Sequence, residues 1–352
     1  MIRSTSYWVK RAEATMDLLQ EAADERLRLI GKVMYNAQKQ LAKDAQRIFQ
    51  RFASRFDLTE AEARAALLEP VNAMEYKLLK AKLAQLPAGV DRLAAEIRLN
   101  SGAYAARISR IEALQQNIAI ETAKVSRLLE DELTGQLRFT AVEGYGRTTY
   151  ELQVRTGSAF TVPDIRGFKI AIDSVWAGAN FSTRIWGKQA TLASDLKELI
   201  TSGYLGGESN ASVARKLMER FSVSFRDAER LVRTETSYIA GQSAKKAYED
   251  AGIETYRYKT AWDSRTCKFC APLDGQTFPV SEAAVGVNYP PIHPNCRCTT
   301  AAAGIVEIPE YKTRRNFDGT VVQIPGNMNY GEWMKWQEAG APVDIKGWRT
   351  AA

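Results

Sequence analysis

Apolar side chains recur through the first helical stretch at Trp8, Ala12, Met16, Leu19, Ala23, Leu27, Ile30, Met34, Ala37, Leu41, Ala45, Ile48 and Phe52. The twelve steps cover 44 residues in a 4-4-3 rhythm, a mean of 3.67 residues per step. Such an eleven-residue repeat keeps the stripe on one face of a nearly straight helix roughly 65 Å long at 1.5 Å per residue. Gly31 does not break it, and no proline intervenes before Pro70. A helix of this length cannot bury its stripe against itself, so the fold must supply helical partners.

Candidates follow along the chain. In "DLTEAEARAALLEP", Thr59 with Glu62 three residues on reads as a capping box for a short helix that stops near Pro70. Further helices are expected from Val71 to Leu86, from about Val90, and after "NSG" through Ile108, Ile111, Leu114, Ile118, Val125 and Leu129. The stretch from Phe139 gives mixed signals. A turn through Gly178 then leads to a helix bearing Leu192, Leu196 and Leu199, with Trp176, Phe181 and Trp186 as packing residues.

Ser209 or Asn210 can cap a helix ending near Phe221, and a second one, about Ser224 to Ala251, ends at Gly252. "ETYRYKTAWDS" and "TTAAAGIVEI" read as strands. The fold class expected is α+β: a long N-terminal helical bundle or hairpin, then a small C-terminal α+β domain with a Cys/His cross-linked loop. The expected organisation is an elongated helical region over 1–138, a mixed connecting region over 139–205, a compact domain over 206–305 and a C-terminal tail over 306–352.

All four cysteines and the sole histidine fall within 32 positions, from Cys267 to Cys298. The spacing is C-x2-C, 22 residues, then H-x2-C-x-C. Two cysteines separated by two residues form a knuckle that aims both thiolates at one ion, and zinc takes four such ligands. Cys267, Cys270, His293, Cys296 and Cys298 offer five. The expected set is Cys267, Cys270 and Cys298 with His293 or Cys296 as the fourth. A structural zinc contributes on the order of 10 kcal/mol of apparent binding free energy to a loop-rich domain.

Three other readings compete. Two disulfides fit an even cysteine count but not a reducing cytosol. A zinc deaminase needs a glutamate two residues after the histidine, and none follows His293. A hydrolase using His293 as base lacks an evident partner. Asp263 and Asp274 flank the knuckle in turn-forming stretches, where an aspartate commonly binds backbone N–H groups. In "RTET", Arg233 and Glu235 point to different faces of a helix. Glu235 lies near its inward side; solvated charges are the plain reading, and an ion pair between elements is the sharper one.

The net charge of +7 is spread without a basic block, which describes a mixed-sign surface more than a nucleic-acid groove. No stretch approaches the ~20 apolar residues of a membrane helix. The N-terminus lacks the compact apolar core of a secretory signal, so synthesis in the cytosol is expected.

The stretch "RTETSYIAGQSAKKAYEDAGIETYRYKTAWDSRTCKFCAPLDGQTF", with "PPIHPNCRC" after it, resembles the phage Mu F-like head morphogenesis family of tailed phages and prophages. "SYWVKRAEA", "WAGANFSTRIWGKQATLASDLKELI" and "MNYGEWMKWQ" extend the resemblance across most of the chain. Its motif positions fall on Arg233, Thr234, Glu235, Asp263, Cys267, Cys270, Gly275, His293, Cys296, Arg297 and Cys298.

The resemblance implies a low-copy minor capsid protein with no enzymatic activity, made in the host cytoplasm and housed in the phage head near the portal. The portal protein is the implied partner, with scaffold or major capsid protein and weak DNA contact beside it, and no membrane. Some relatives carry C-terminal toxin domains; with 54 residues after Cys298, none is expected here. The alternatives to set against it are a metal-dependent nuclease and a DNA-binding accessory factor for packaging.

Overall fold

In the computed structural model the apolar stripe lies on one unbroken helix, α1 (Thr5–Ala53). The structure describes residues 5–53, 70–86, 92, 109–156, 172, 175–205, 208, 210–261, 267–304, 311–315, 320–325, 328 and 330–340. Among them are the helices α2 (Ala73–Ala84), α3 (Arg110–Thr156), α4 (Phe181–Leu205), α5 (Asn210–Asp250) and α6 (Tyr330–Glu338). The strands are β1 (Thr255–Lys259), β2 (Thr277–Pro279), β3 (Thr299–Ala302), β4 (Tyr311–Arg315) and β5 (Val321–Pro325). The class is α+β, mostly helical, with its sheets toward the C-terminus. None of the described helices is long and apolar enough to cross a membrane.

On α1, Trp8, Met16, Leu19, Ala23, Leu27, Ile30, Met34, Ala37 and Leu41 are buried, as the repeat requires. The helix headed by Thr59 and Glu62, the one from Val90, and Asp263 lie outside the described residues. Asn72 caps α2 through a capping box: Glu75 N–H donates to Asn72 Oδ1 at 2.9 Å, and Asn72 N–H to Glu75 Oε2 at 2.8 Å.

The chain divides into two units. One takes Met1–Glu25, Thr134–Val175 and Arg230–Ala352; the other takes Arg26–Leu133 and Trp176–Glu229. Helices α1, α3 and α5 contribute to both. The boundary expected at 138/139 falls inside α3, which continues through the mixed-signal stretch as far as Thr156. The reason lies in its burial. Polar Gln136 and Thr140 are as buried as Leu137 and Ala141, because Gln136 Nε2 donates to Leu19 O at 2.9 Å and to Thr140 Oγ1 at 3.3 Å. A helix buried on more than one side shows no clean apolar stripe.

The break expected between Phe221 and Ser224 is likewise absent, and α5 runs through it. Ser222 bonds back to Met218 O at 2.9 Å, which satisfies its hydroxyl without ending the helix. Helix α5 does stop at Gly252, which takes φ +63° while Ile253 N–H reaches Tyr248 O at 2.8 Å.

In the first unit β1 is the centre of an antiparallel sheet of order β2-β1-β3, with Tyr256 paired to Phe278 and Ala302. Its core gathers Trp8, Leu152, Tyr248, Tyr256, Val280 and Tyr289. A separate cluster joins the β4–β5 hairpin to α6: Tyr150, Ile324, Met328, Trp333 and Trp336. The second unit packs Leu79, Leu83 and Leu86 against Ala113, Ile120 and Ala123. There the buried Asp44 is neutralised by Lys82.

Candidate metal centre

Alternation along β1 puts Tyr256 and Tyr258 on one face, both fully buried. Tyr256 enters the unit's core, whereas Tyr258 lies against Cys270, Cys296 and Cys298. The knuckle follows at Cys267. There the Cys270 N–H faces both Cys267 O (3.2 Å) and Cys267 Sγ (3.4 Å), and Ala271 N–H faces Cys267 O (3.1 Å).

Asp274 closes the next turn. Its Oδ1 accepts from the N–H and the hydroxyl of Thr260, each at 2.8 Å, with Lys259 Nζ at 3.4 Å. This is the backbone-binding role expected of it. Gly275, at φ +75°, then turns the chain so that its N–H reaches Tyr258 O at 2.9 Å, while Tyr258 N–H reaches Gln276 O at 2.8 Å. The return arm carries a cis Pro290–Pro291 bond, and Tyr289 donates to Gly241 O on α5 at 2.8 Å.

These turns bring the donors together. One ligand atom each from Cys267, Cys270 and His293 lie within 4.8 Å of one another, and so do those of Cys270, Cys296 and Cys298. A tetrahedral zinc with Zn–S of 2.3 Å has S···S edges of about 3.8 Å; each group of three is compact enough to supply part of such a shell, while Cys267 and Cys296 fall in different groups. Cys270 belongs to both groups and is the pivot of the site. All four cysteines are free thiols, and Cys270, Cys296 and Cys298 are buried.

Burial and hydrogen bonds among the sulfurs set the acidity of the thiols. Hydrogen bonding to the Cys296 sulfur, then burial, pushes the Cys270 and Cys298 thiols up. Cys296, accepting from both, is pushed down. Burial raises Cys267, but the N–H groups of Cys270 and Phe269 outweigh it and leave this thiol below its ordinary value. Burial first, then the charge of Cys296 and Cys298, holds the Tyr258 phenol far above its ordinary range, so it stays a donor, 3.6 Å from Cys270 Sγ. His293 Nδ1 lies 2.8 Å from Pro294 O, which can only accept. Nδ1 is therefore the donor in this contact, which leaves Nε2 as the ring nitrogen turned to other partners.

The "RTET" stretch lies alongside. Arg233 pairs with Asp24 of α1, through Nε at 3.2 Å and Nη2 at 3.0 Å, an ion pair between elements. Glu235 is buried, 3% exposed. Two neighbours of the site were not singled out for it from the sequence, Tyr258 and Ser237. The alternation of "ETYRYK" was the legible signal for the tyrosine. For Ser237 the sequence carried no signal, because its partner is a main-chain carbonyl 59 residues away.

Residues 194–301 match the family described as phage Mu protein F like protein. The matched segment contains "RTET" and all five Cys/His donors, while "SYWVKRAEA" and "MNYGEWMKWQ" lie outside the matched residues. Among curated proteins, the NAD(+)–arginine ADP-ribosyltransferase EFV of Enterococcus faecalis is 26% identical over 221 residues, 58% of this chain and 45% of that protein. The chain thus spans just under half the length of that relative. No solved structure matches.

Proposed function

We propose that this chain is a head-morphogenesis protein of a tailed phage or prophage: a minor virion component that docks on the portal protein during procapsid assembly. The observation that carries the proposal is the Mu F-like match over 194–301, which encloses the whole donor cluster. Within that reading the cluster holds a structural zinc through Cys267, Cys270, Cys296 and Cys298. Cys267 is favoured over His293 because its sulfur accepts the Cys270 N–H and its thiolate is stabilised. The ion would supply a cross-link between the knuckle and the return arm, and no reaction is routed through it.

The test is co-expression with the portal protein of the same phage, followed by affinity capture at low salt. Co-elution is expected, and clean separation of the two would sink the portal assignment. Transfer of ADP-ribose from NAD+ to arginine is a second reading, motivated only by the name of the matched relative. Incubation with labelled NAD+ and an arginine acceptor is expected to leave the acceptor unlabelled.

A further inference from the structure

We infer that Thr234 and Ser237 form a hydroxyl clamp on α5 that positions the Asn295–Cys296 arm of the metal site. The inference rests on the zinc reading of that site.

Three residues apart on α5, the two hydroxyls share one face of the helix. They take hold of consecutive residues of the return arm by opposite backbone groups. Asn295 N–H donates to Thr234 Oγ1 at 3.0 Å, and Ser237 Oγ donates to Cys296 O. Each hydroxyl is used in both directions. Thr234 also donates to Arg230 O at 2.5 Å, and Ser237, fully buried, also accepts from Gln20 Nε2 of α1 at 3.0 Å.

The arm needs such a hold. Asn295 sits at φ +61°, in the left-handed region that non-glycine residues rarely adopt. Cys296 N–H is tied to His293 O at 3.1 Å, so with Ser237 on its carbonyl both backbone groups of Cys296 are fixed. Fixing the backbone fixes the direction of the Cβ–Sγ bond. That direction decides whether Cys296 Sγ stays within reach of Cys270 and Cys298. Thr234 and Ser237 touch no ligand atom, so they act through the cysteine they orient.

The test uses full-length protein loaded with cobalt(II), whose thiolate charge-transfer band reports the ligand set. Chelator-driven loss of that band is compared for wild type, Ser237→Ala, Thr234→Val and Thr234→Ser. Removing an outer partner of a metal ligand typically costs 10–100-fold in affinity. Loss from Ser237→Ala and Thr234→Val should accelerate by about that factor, with Thr234→Ser close to wild type and helicity unchanged.

Alkylation of Cys296 in chelator-treated protein, followed by peptide mass mapping, gives a second readout that needs no metal. It should run about tenfold faster in the same two variants, through easier local opening. Should wild type take up no cobalt, the zinc reading falls and alkylation alone judges the clamp. Alkylation rates equal to wild type in that case, or cobalt loss and alkylation both unchanged, overturn it.

Discussion

Helix α1 and the loop from Cys267 to Cys298 are held in opposite ways. The helix satisfies its backbone internally and spreads its tertiary stabilisation over nine buried apolar positions, from Trp8 to Leu41. The loop has one three-residue strand, two single-turn 3-10 helices (Ala271–Leu273 and Val280–Glu282) and a handful of polar anchors. Around its sulfurs only Leu273, Phe278 and Ile292 add apolar contact from the loop itself. Spread stabilisation erodes gradually as positions are lost. Concentrated stabilisation fails at once.

Withdrawing the metal should expose this difference most. Cys270 belongs to both donor groups, so Cys270→Ala, or a strong chelator on wild type, removes the centre of the site. The apparent zinc contribution lost is on the order of 10 kcal/mol. Hydrogen exchange should then show residues 267–298 losing protection, least at the Asn295–Cys296 backbone held from α5, while the α1 amides keep theirs. Simultaneous loss of protection in α1 would mean that the two regions are not independently held.

Leu19→Ala comes next. Leu19 is 1% exposed, packs with Met16 and Ala240, and accepts Gln136 through its carbonyl. Truncating such a side chain costs about 2–5 kcal/mol. Thermal melting should report that loss, while the rate of chelator-driven metal release stays within twofold of wild type.

Legibility in the sequence followed the same division. The stripe of α1 was readable because one face is apolar at every step, and Gly252 because only its left-handed φ ends α5. The donor cluster was readable from spacing, and the structure gathers it in two groups joined at Cys270. Continuous α3 and α5 were not readable. Gln136, Thr140 and Ser222 look like interruptions until their partners Leu19 O and Met218 O are known. Ser237 was silent for the same reason, since a serine inside a helix discloses nothing of a carbonyl 59 residues away.

The smallest effect is expected where α5 meets the loop, at Gly241. A Cβ there would fall 2.9 Å from Pro290 O and 3.2 Å from the Tyr289 ring. The ring can shift by a few tenths of an ångström, but the carbonyl belongs to a backbone held by Tyr289 donating to Gly241 O at 2.8 Å. Overpacking of this kind costs about 1–3 kcal/mol, and the gain in helix propensity from glycine to alanine returns up to ~1 kcal/mol. Gly241→Ala should therefore lower the melting temperature modestly and speed metal release, because the strain falls on the return arm. Gly144→Ala is the control: its Cβ would meet Ser243 Cβ at 3.3 Å and Leu19 at 3.7 Å, between helices and away from the donors. It should leave metal release unchanged. Equal acceleration in both variants would show that strain on the helices reaches the site directly, and the contrast between region and region would no longer hold.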